Sequence, residues 1–304
     1  MDRAVTPPLD RRGLGRTLTA LANASTAQLA HLPARRCVAR PARRIGVTGA
    51  PGAGKSTLLG HLAVLRAERG RLGILAIDPS SPHSGGAILG DRIRMDELPG
   101  AADLYIRSLG SRKTTDGLAD NLPDMLDAMD DFGFTEVVLE TVGVGQAEHA
   151  ARAQVDTLVL VLLPDSGDVV QAMKAGIMEM ADIFVISKAD LPGAHRMATD
   201  IKRIAAITRR EGGAWVPPVL LVSVSQPESI IALSHAIDDH QAWLARSDRA
   251  AVLLEQRARY RLRRLVERRV AEVIAQQDAA FFVAPLGDQF AATLALLKPQ
   301  GDGA

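Results

Sequence analysis

Eight consecutive residues, Gly49-Ala50-Pro51-Gly52-Ala53-Gly54-Lys55-Ser56, follow the spacing G-x-x-x-x-G-K-[ST]. Glycines at these places let a loop turn its backbone N–H groups inward around a phosphate, and the helix that follows adds favourable partial charge at its N-terminus. Lys55 is then placed to bridge β- and γ-phosphate oxygens, and the Ser56 hydroxyl to ligate Mg²⁺. Thr57-Leu58-Leu59 opens the helical pattern at the phosphate side of the loop. The chemistry implied is phosphoryl transfer from a nucleotide.

Such a site needs carboxylates from neighbouring strands. Asp78 follows Leu75-Ala76-Ile77 and Glu140 follows Val137-Val138-Leu139. Ligands of an open α/β sheet sit at the carboxyl ends of strands, which points both side chains toward the same crevice. Glu140 leads into Thr141-Val142-Gly143, a switch in which a carboxylate orders metal-bound water and the Gly143 N–H meets the γ-phosphate. A third segment, Ser187-Lys188-Ala189-Asp190, follows another apolar run. Asp190 can accept from N1–H and the 2-amino group of guanine, which adenine lacks, while the Lys188 stem packs over the ring. Ser187 stands where asparagine is usual, and one hydroxyl replaces only part of an amide's hydrogen bonding. Ser223, in the last apolar run, is a further nucleotide-side candidate. No general base is assigned, because positioning and charge neutralisation dominate this chemistry.

The elements that must hold these residues are seven apolar runs: Arg44 to Thr48, Gly73 to Asp78, Asp103 to Arg107, Thr135 to Glu140, Thr157 to Leu163, Ile183 to Ser187 and Val219 to Val224. Their continuous apolarity is that of parallel strands covered on both faces. Alternation with amphipathic stretches predicts an α/β fold, a P-loop NTPase with a mostly parallel sheet flanked by helices. Leu14 to Leu29 reads as an N-terminal helical extension, and His235 to Ala275 as one or two long helices. The expected units are residues 1–42, 43–240 and 241–304. Arg257, Arg259, Arg261, Arg263, Arg264, Arg268 and Arg269 crowd the last helix; they read as a solvated face with glutamate partners rather than a nucleic-acid face.

Bulk properties agree with that reading. The 304 residues carry 36 Lys plus Arg against 35 Asp plus Glu, a net charge of +1, so no global field recruits nucleic acid or membrane. Cys37 is the single cysteine, which excludes an internal disulfide framework and favours a reducing cytoplasm. No secretory leader is expected at the N-terminus, and the longest apolar run falls well short of the ~20 residues that span a bilayer.

The runs Asp78-Pro79-Ser80-Ser81, Gly85-Gly86-Ala87-Ile88-Leu89-Gly90-Asp91-Arg92-Ile93-Arg94-Met95 and Leu139-Glu140-Thr141-Val142-Gly143-Val144-Gly145-Gln146 resemble the MeaB/ArgK family. So does the stretch from Gly167-Asp168 through Ala181-Asp182. These are the methylmalonyl-CoA mutase-associated GTPases, formerly called LAO/AO transport ATPases. The resemblance implies a G domain of the signal-recognition-particle and MinD-like class that hydrolyses GTP to GDP. It also implies a homodimer formed through a C-terminal helical arm, and Mg²⁺ organised by Ser56, Asp78, Asp91 and Glu140, partly through water. It further implies an adenosylcobalamin-dependent acyl-CoA mutase as partner. Nucleotide state would gate cofactor loading and the removal of damaged cofactor, and Asp165 to Lys174 would be the segment through which the mutase stimulates hydrolysis.

The chain departs from that pattern at Ser187, at Gly110 to Asp116, at Ser225-Gln226-Pro227-Glu228 in place of a Gly-x-Gly turn, and in a short C-terminal arm. A related mutase, acting on another acyl-CoA ester, is compatible with these differences. Three rivals are weighed against this reading, and one of them, a non-hydrolysing regulatory or membrane-transport adaptor, is disfavoured by the full set of water- and metal-ordering residues. A P-loop kinase would need an arginine-rich lid, for which Arg92, Arg94 and Arg112 are the candidates. A nickel-delivery GTPase would need Cys/His ligands at metal spacing, and the seven histidines are dispersed.

Overall fold

All seven apolar runs become strands of one parallel sheet. The computed structural model describes residues 7–32, 41–79, 103–111, 118–141, 146–164, 176–207 and 214–297. The strands are β1 (Arg43–Gly49), β2 (Leu72–Pro79), β3 (Leu104–Ser111), β4 (Glu136–Thr141), β5 (Thr157–Leu162), β6 (Ile183–Ile186) and β7 (Val219–Leu221), in the order β3-β2-β4-β1-β5-β6-β7. Chain direction across the sheet reverses at β1, which lies between β4 and β5. The Val47↔Glu140 and Gly49↔Val161 pairings therefore bring the ends of three strands to one crevice.

Helices cover both faces, which is why β4, β5 and β6 are buried throughout. On one face α1 (Arg11–Asn23), α4 (Leu122–Asp131) and α5 (Gln146–Arg152) pack Leu14, Leu18, Met125 and Met129 onto Leu75, Val137, Leu139 and Leu158. On the other, α3 (Lys55–Ala67) and α7 (Pro227–Ala245) place Leu58, Leu59, Leu62, Ile230, Leu233 and Ile237 over Ile45, Val47, Val138, Val159 and Val161. A third cluster joins α6 (Ala194–Ile207) to Leu160, Leu162, Phe184 and Ile186. Residues alternate sides along β5, as a period of two requires.

The N-terminal helices are part of this core. The Asp10 carboxylate accepts the Gly13 N–H and caps α1, whose Leu14 and Leu18 are fully buried. Ser25 and Gln28 form a capping box at α2 (Thr26–Ala30). Two strand boundaries differ from the sequence reading by more than one residue. β3 extends to Ser111 because its pairing with β2 continues that far. β7 stops at Leu221 rather than Val224, because the Ser223 N–H is taken by the Ser229 hydroxyl and the chain leaves the ladder.

The long C-terminal helices are α7 and α8 (Arg249–Ala275), followed by α9 (Leu286–Leu296). The arginines of α8 require a correction. Arg259 and Arg263 do pair with Glu255 and Glu267 on the same helix. Arg257, Arg261 and Arg264 instead reach Asp156, Asp124, Asp127 and Asp120 on the body, and Arg268 donates to Asn121 and the Ala24 carbonyl. Tyr260 and Leu253 are buried beneath them. The basic stripe therefore docks the helix, and helical periodicity by itself could not say which charges would meet it.

Behind the sheet a buried polar pair carries a pH prediction. His240 lies against Trp215 and Trp243, with its Nδ1 2.9 Å from the Thr157 hydroxyl and its Nε2 3.4 Å from Asp182 Oδ1. Burial, with the nearby Arg152 and Arg249 charges, pushes His240 down to about 4. Burial pushes Asp182 up to about 6, against the opposing pull of Arg152. The folded state thus binds fewer protons at His240 than the unfolded chain between pH 6.5 and 4, so that group lowers stability as pH falls. Asp182 has the opposite sign between pH 6 and 3.8, because there the folded state binds more protons. In Asp182→Asn the histidine contribution is unmasked, and unfolding free energy followed by tryptophan fluorescence should fall more steeply from pH 6.5 to 4 than in wild type. Parallel pH profiles for the two proteins would show that the pair does not titrate in this way.

Candidate functional site

The phosphate loop joins β1 to α3, and its backbone explains the glycine spacing. Gly52 and Gly54 have φ of 77° and 82°, a region that favours glycine. At Gly49 an added Cβ would lie 2.0 Å from the Val161 carbonyl oxygen, so only glycine lets β1 pass β5 there. Gly54 caps α3 without a side-chain bond, leaving the first-turn N–H groups as an anion-binding end. Lys55 is buried and its Nζ donates to the Gly49 and Ala50 carbonyls at 2.8 and 2.9 Å. The ammonium is thereby held against the loop it would serve. Pro51, Ala53 and Thr57 complete this corner, with Ala53 fully buried.

Strand pairing carries Glu140 to the same corner. The Ser56 hydroxyl donates to Glu140 Oε1 at 2.7 Å, and the Thr141 hydroxyl donates to Thr48 at 2.9 Å across the β4–β1 seam. A hydroxyl and a carboxylate side by side are hard oxygen donors, the kind Mg²⁺ takes while keeping several waters. These two residues therefore fit the ion. Asp78 lies at the end of β2, with its backbone paired to Gly110; its side chain, and all of Asp91, Gly143, Arg92, Arg94 and Arg112, lie outside the described residues. So does the segment Asp165 to Lys174. Among the described residues no three His, Cys, Asp or Glu side chains gather to hold a metal.

Beside the phosphate loop is a cleft of about 210 Å³ lined by Gly54, Thr57, Ser187, Lys188, Asp190 and Ser223, with Leu58 and Val222 at its apolar floor. Lys188 has a φ of 49°, a left-handed conformation uncommon for a side chain of this size, and its Nζ reaches the Gly52 carbonyl at 3.4 Å. That lays the lysine stem beside the phosphate loop. The Ser223 hydroxyl donates to Asp190 Oδ1 at 2.7 Å and holds this carboxyl below the usual aspartate range. Asp190 is therefore an ionised acceptor at neutral pH. Ser187 is buried, with its hydroxyl directed at the Leu162 carbonyl at 3.1 Å.

The structure therefore brings together Lys55, Ser56 and Glu140 on one side and Ser187, Lys188, Asp190 and Ser223 on the other. Sequence reasoning named Ser225 as a departure from the family's turn and not as a site residue, and did not name Ser229; the Ser225 hydroxyl lines the cleft 2.8 Å from that of Ser223, and Ser229 bonds the Ser223 backbone. The cluster of hydroxyls after the last strand was the available signal.

Comparison with known proteins agrees with this fold. The family model described as methylmalonyl Co-A mutase-associated GTPase MeaB matches residues 14–279. GTPase ArgK of Escherichia coli is 36% identical over 233 residues, 75% of this chain and 70% of that protein. A mouse protein named methylmalonic aciduria type A homolog, mitochondrial, is 35% identical over 233 residues, 75% of this chain and 56% of its own length. A crystal structure of an LAO/AO transport system kinase superposes with a TM-score of 0.62 at 25% identity, covering 95% of this chain and 97% of that one.

Proposed function

Because this chain belongs to the MeaB family of methylmalonyl-CoA mutase-associated GTPases, we propose that its GTP cycle serves an adenosylcobalamin-dependent acyl-CoA mutase, gating cofactor loading and protecting and reactivating the enzyme. It is a P-loop GTPase, and guanine nucleotide binding goes with the family. The observation that carries the reading is the convergence on one sheet edge of a phosphate loop, a hydroxyl–carboxylate pair and a cleft ending in an ionised aspartate. The description of the matching family model supports the link to a mutase. A reducing cytoplasm is the proposed compartment; no helix among the described residues is long and apolar enough to cross a membrane.

In this reading Lys55 and the N-terminus of α3 hold the phosphate tail and offset the charge that develops on it. Ser56 and Glu140, with Asp78 and Asp91, would hold Mg²⁺. When bound, the ion would neutralise β- and γ-phosphate oxygens. Gly49 to Thr57 orient the tail, and Ser187, Lys188, Asp190 and Ser223 hold the base. No residue need act as a strong base on the attacking water.

The C-terminal arm supports a homodimer. Leu286, Phe290 and Leu294 lie at i, i+4 and i+8 on α9, are 79%, 65% and 50% exposed, and share this exposure with Phe282 and Val283. A second copy of the arm is the proposed cover for this face.

GTP hydrolysis measured alone and with a reconstituted adenosylcobalamin-dependent mutase tests the proposal. A rise of about tenfold or more is expected, and equal rates would count against the partnership. Asp190→Asn should reduce the preference for GTP over ATP by about tenfold to hundredfold, the loss expected when a charged hydrogen-bond acceptor is neutralised. Unchanged preference in competition binding would move base recognition elsewhere.

A further inference from the structure

Two buried threonines stand one residue away from groups assigned to phosphate and metal. Thr48 precedes Gly49 and is fully buried; Thr141 follows Glu140 and is buried as well. Consecutive residues of a strand face opposite sides of the sheet. Glu140 meets Ser56 on the α3 side, and Thr141 turns to the other side, where its hydroxyl donates to that of Thr48 at 2.9 Å. Valine has the same shape, and these strands use it at the buried positions Val47, Val137, Val138, Val159 and Val161. Burying a hydroxyl costs free energy that burying valine does not, and a hydrogen bond is needed to offset it. Packing alone therefore does not account for the pair.

The bond lies where a backbone seam ends. Pairing of β1 with β5 continues to Gly49↔Val161, but pairing of β1 with β4 runs only to Val47↔Glu140. Past Glu140, β4 keeps its other neighbour, β2, at Ile77↔Thr141. Among the described residues, the threonine bond is then the last tie between β4 and the strand that carries the phosphate loop. We infer that Thr141 is a positioning residue for GTP hydrolysis: through Thr48 it clamps the end of β4 to the start of the phosphate loop, and so fixes Glu140 relative to Ser56 and the Mg²⁺ assigned to them. Its side chain faces away from that pair, so it acts through Glu140. The inference rests on the metal reading of Ser56 and Glu140 above and adds the residue that sets their spacing.

Thr141→Val, which keeps the shape and removes the hydroxyl, tests it beside Thr141→Ser and Glu140→Gln. Turnover at saturating GTP, Mg²⁺ titration of that turnover, GDP affinity without Mg²⁺ and a thermal melt are read on each protein. In Thr141→Val, kcat should fall about tenfold to hundredfold, the loss that a displacement on the order of 1 Å produces. The Mg²⁺ concentration for half-maximal turnover should rise about tenfold, as when a group that orients a metal ligand is removed. GDP affinity without the metal should stay within about threefold of wild type, because the phosphate loop itself is intact. Thr141→Ser, which returns a hydroxyl, should recover both kcat and the Mg²⁺ requirement. A merely structural role would lower the melt, GDP affinity and turnover together, and that result overturns the inference. Turnover in Thr141→Val within about twofold of wild type overturns it too, while the metal site stands. If Glu140→Gln leaves the Mg²⁺ requirement at the wild-type value, the metal reading itself is wrong and the inference falls with it.

Discussion

Lys55→Ala should lower GTP turnover by about 10²–10³-fold, the loss usual when one pre-positioned cationic or hydrogen-bonding group is removed from developing charge. The side chain is buried and already bonded to two loop carbonyls, so its rotamer freedom is spent before nucleotide arrives. Its contribution to binding is therefore close to the full charge-assisted interaction. The protein should remain folded, because the variant leaves the glycine geometry of the loop and the large aliphatic side chains of the sheet and helices untouched, losing the buried lysine stem alone. Phosphate release at saturating GTP, fluorescent-nucleotide affinity and a thermal melt on the same sample separate these effects. Near-wild-type turnover with an unchanged melt would place the phosphate site elsewhere.

The second large effect lies at the other end of the same helix and concerns stability. Arg66 is fully buried, and its guanidinium donates to both Glu136 oxygens at 2.6 Å, to the Ser234 carbonyl and hydroxyl at 3.1 and 2.9 Å, and to Asp238 at 2.9 Å. These bonds tie α3 to the start of β4 and to α7, the helix packed beside it. Among the described residues, Arg66→Ala leaves the buried Glu136 carboxylate with Arg43, whose own side chain is 49% exposed. Breaking a buried pair from one side costs about 3–5 kcal/mol because the remaining charge has lost its compensation. Urea unfolding should read that loss as a lower midpoint. The double variant Arg66→Met/Glu136→Gln should recover part of it, since the stranded charge is gone. A single variant less than about 1 kcal/mol below wild type would mean that Glu136 finds water or another partner.

How much of this was legible in the chain depended on whether the signal was local. The run from Gly49 to Ser56 specifies a loop conformation within itself: positive φ at Gly52 and Gly54 strongly favours glycine, and Lys55-Ser56 must follow at fixed spacing. The apolar runs likewise imply a parallel sheet, because strands covered on both faces cannot alternate with polar residues. Asp190 could be proposed for the base from its place after a strand.

Other features depend on residues far apart in sequence. Ser223 bonds Asp190 from 33 residues away, a contact that exists only once the last strand is laid beside the loop. Arg66 meets Glu136 and Ser234 across 70 and 168 residues. The arginines of α8 carried no mark that separates a solvated stripe from a docking face; Asp120, Asp124, Asp127 and Asp156 supply that mark only when α4 and the start of β5 are brought beneath it. Sequence by itself determined the phosphate loop and the parallel strands and proposed an acceptor for the base, since each rests on backbone conformation, periodicity or position over a few neighbouring residues. Tertiary structure decided which hydroxyl orients that acceptor and which charges are shared between elements, because a hydrogen bond or ion pair is set by distances that only the packed chain fixes.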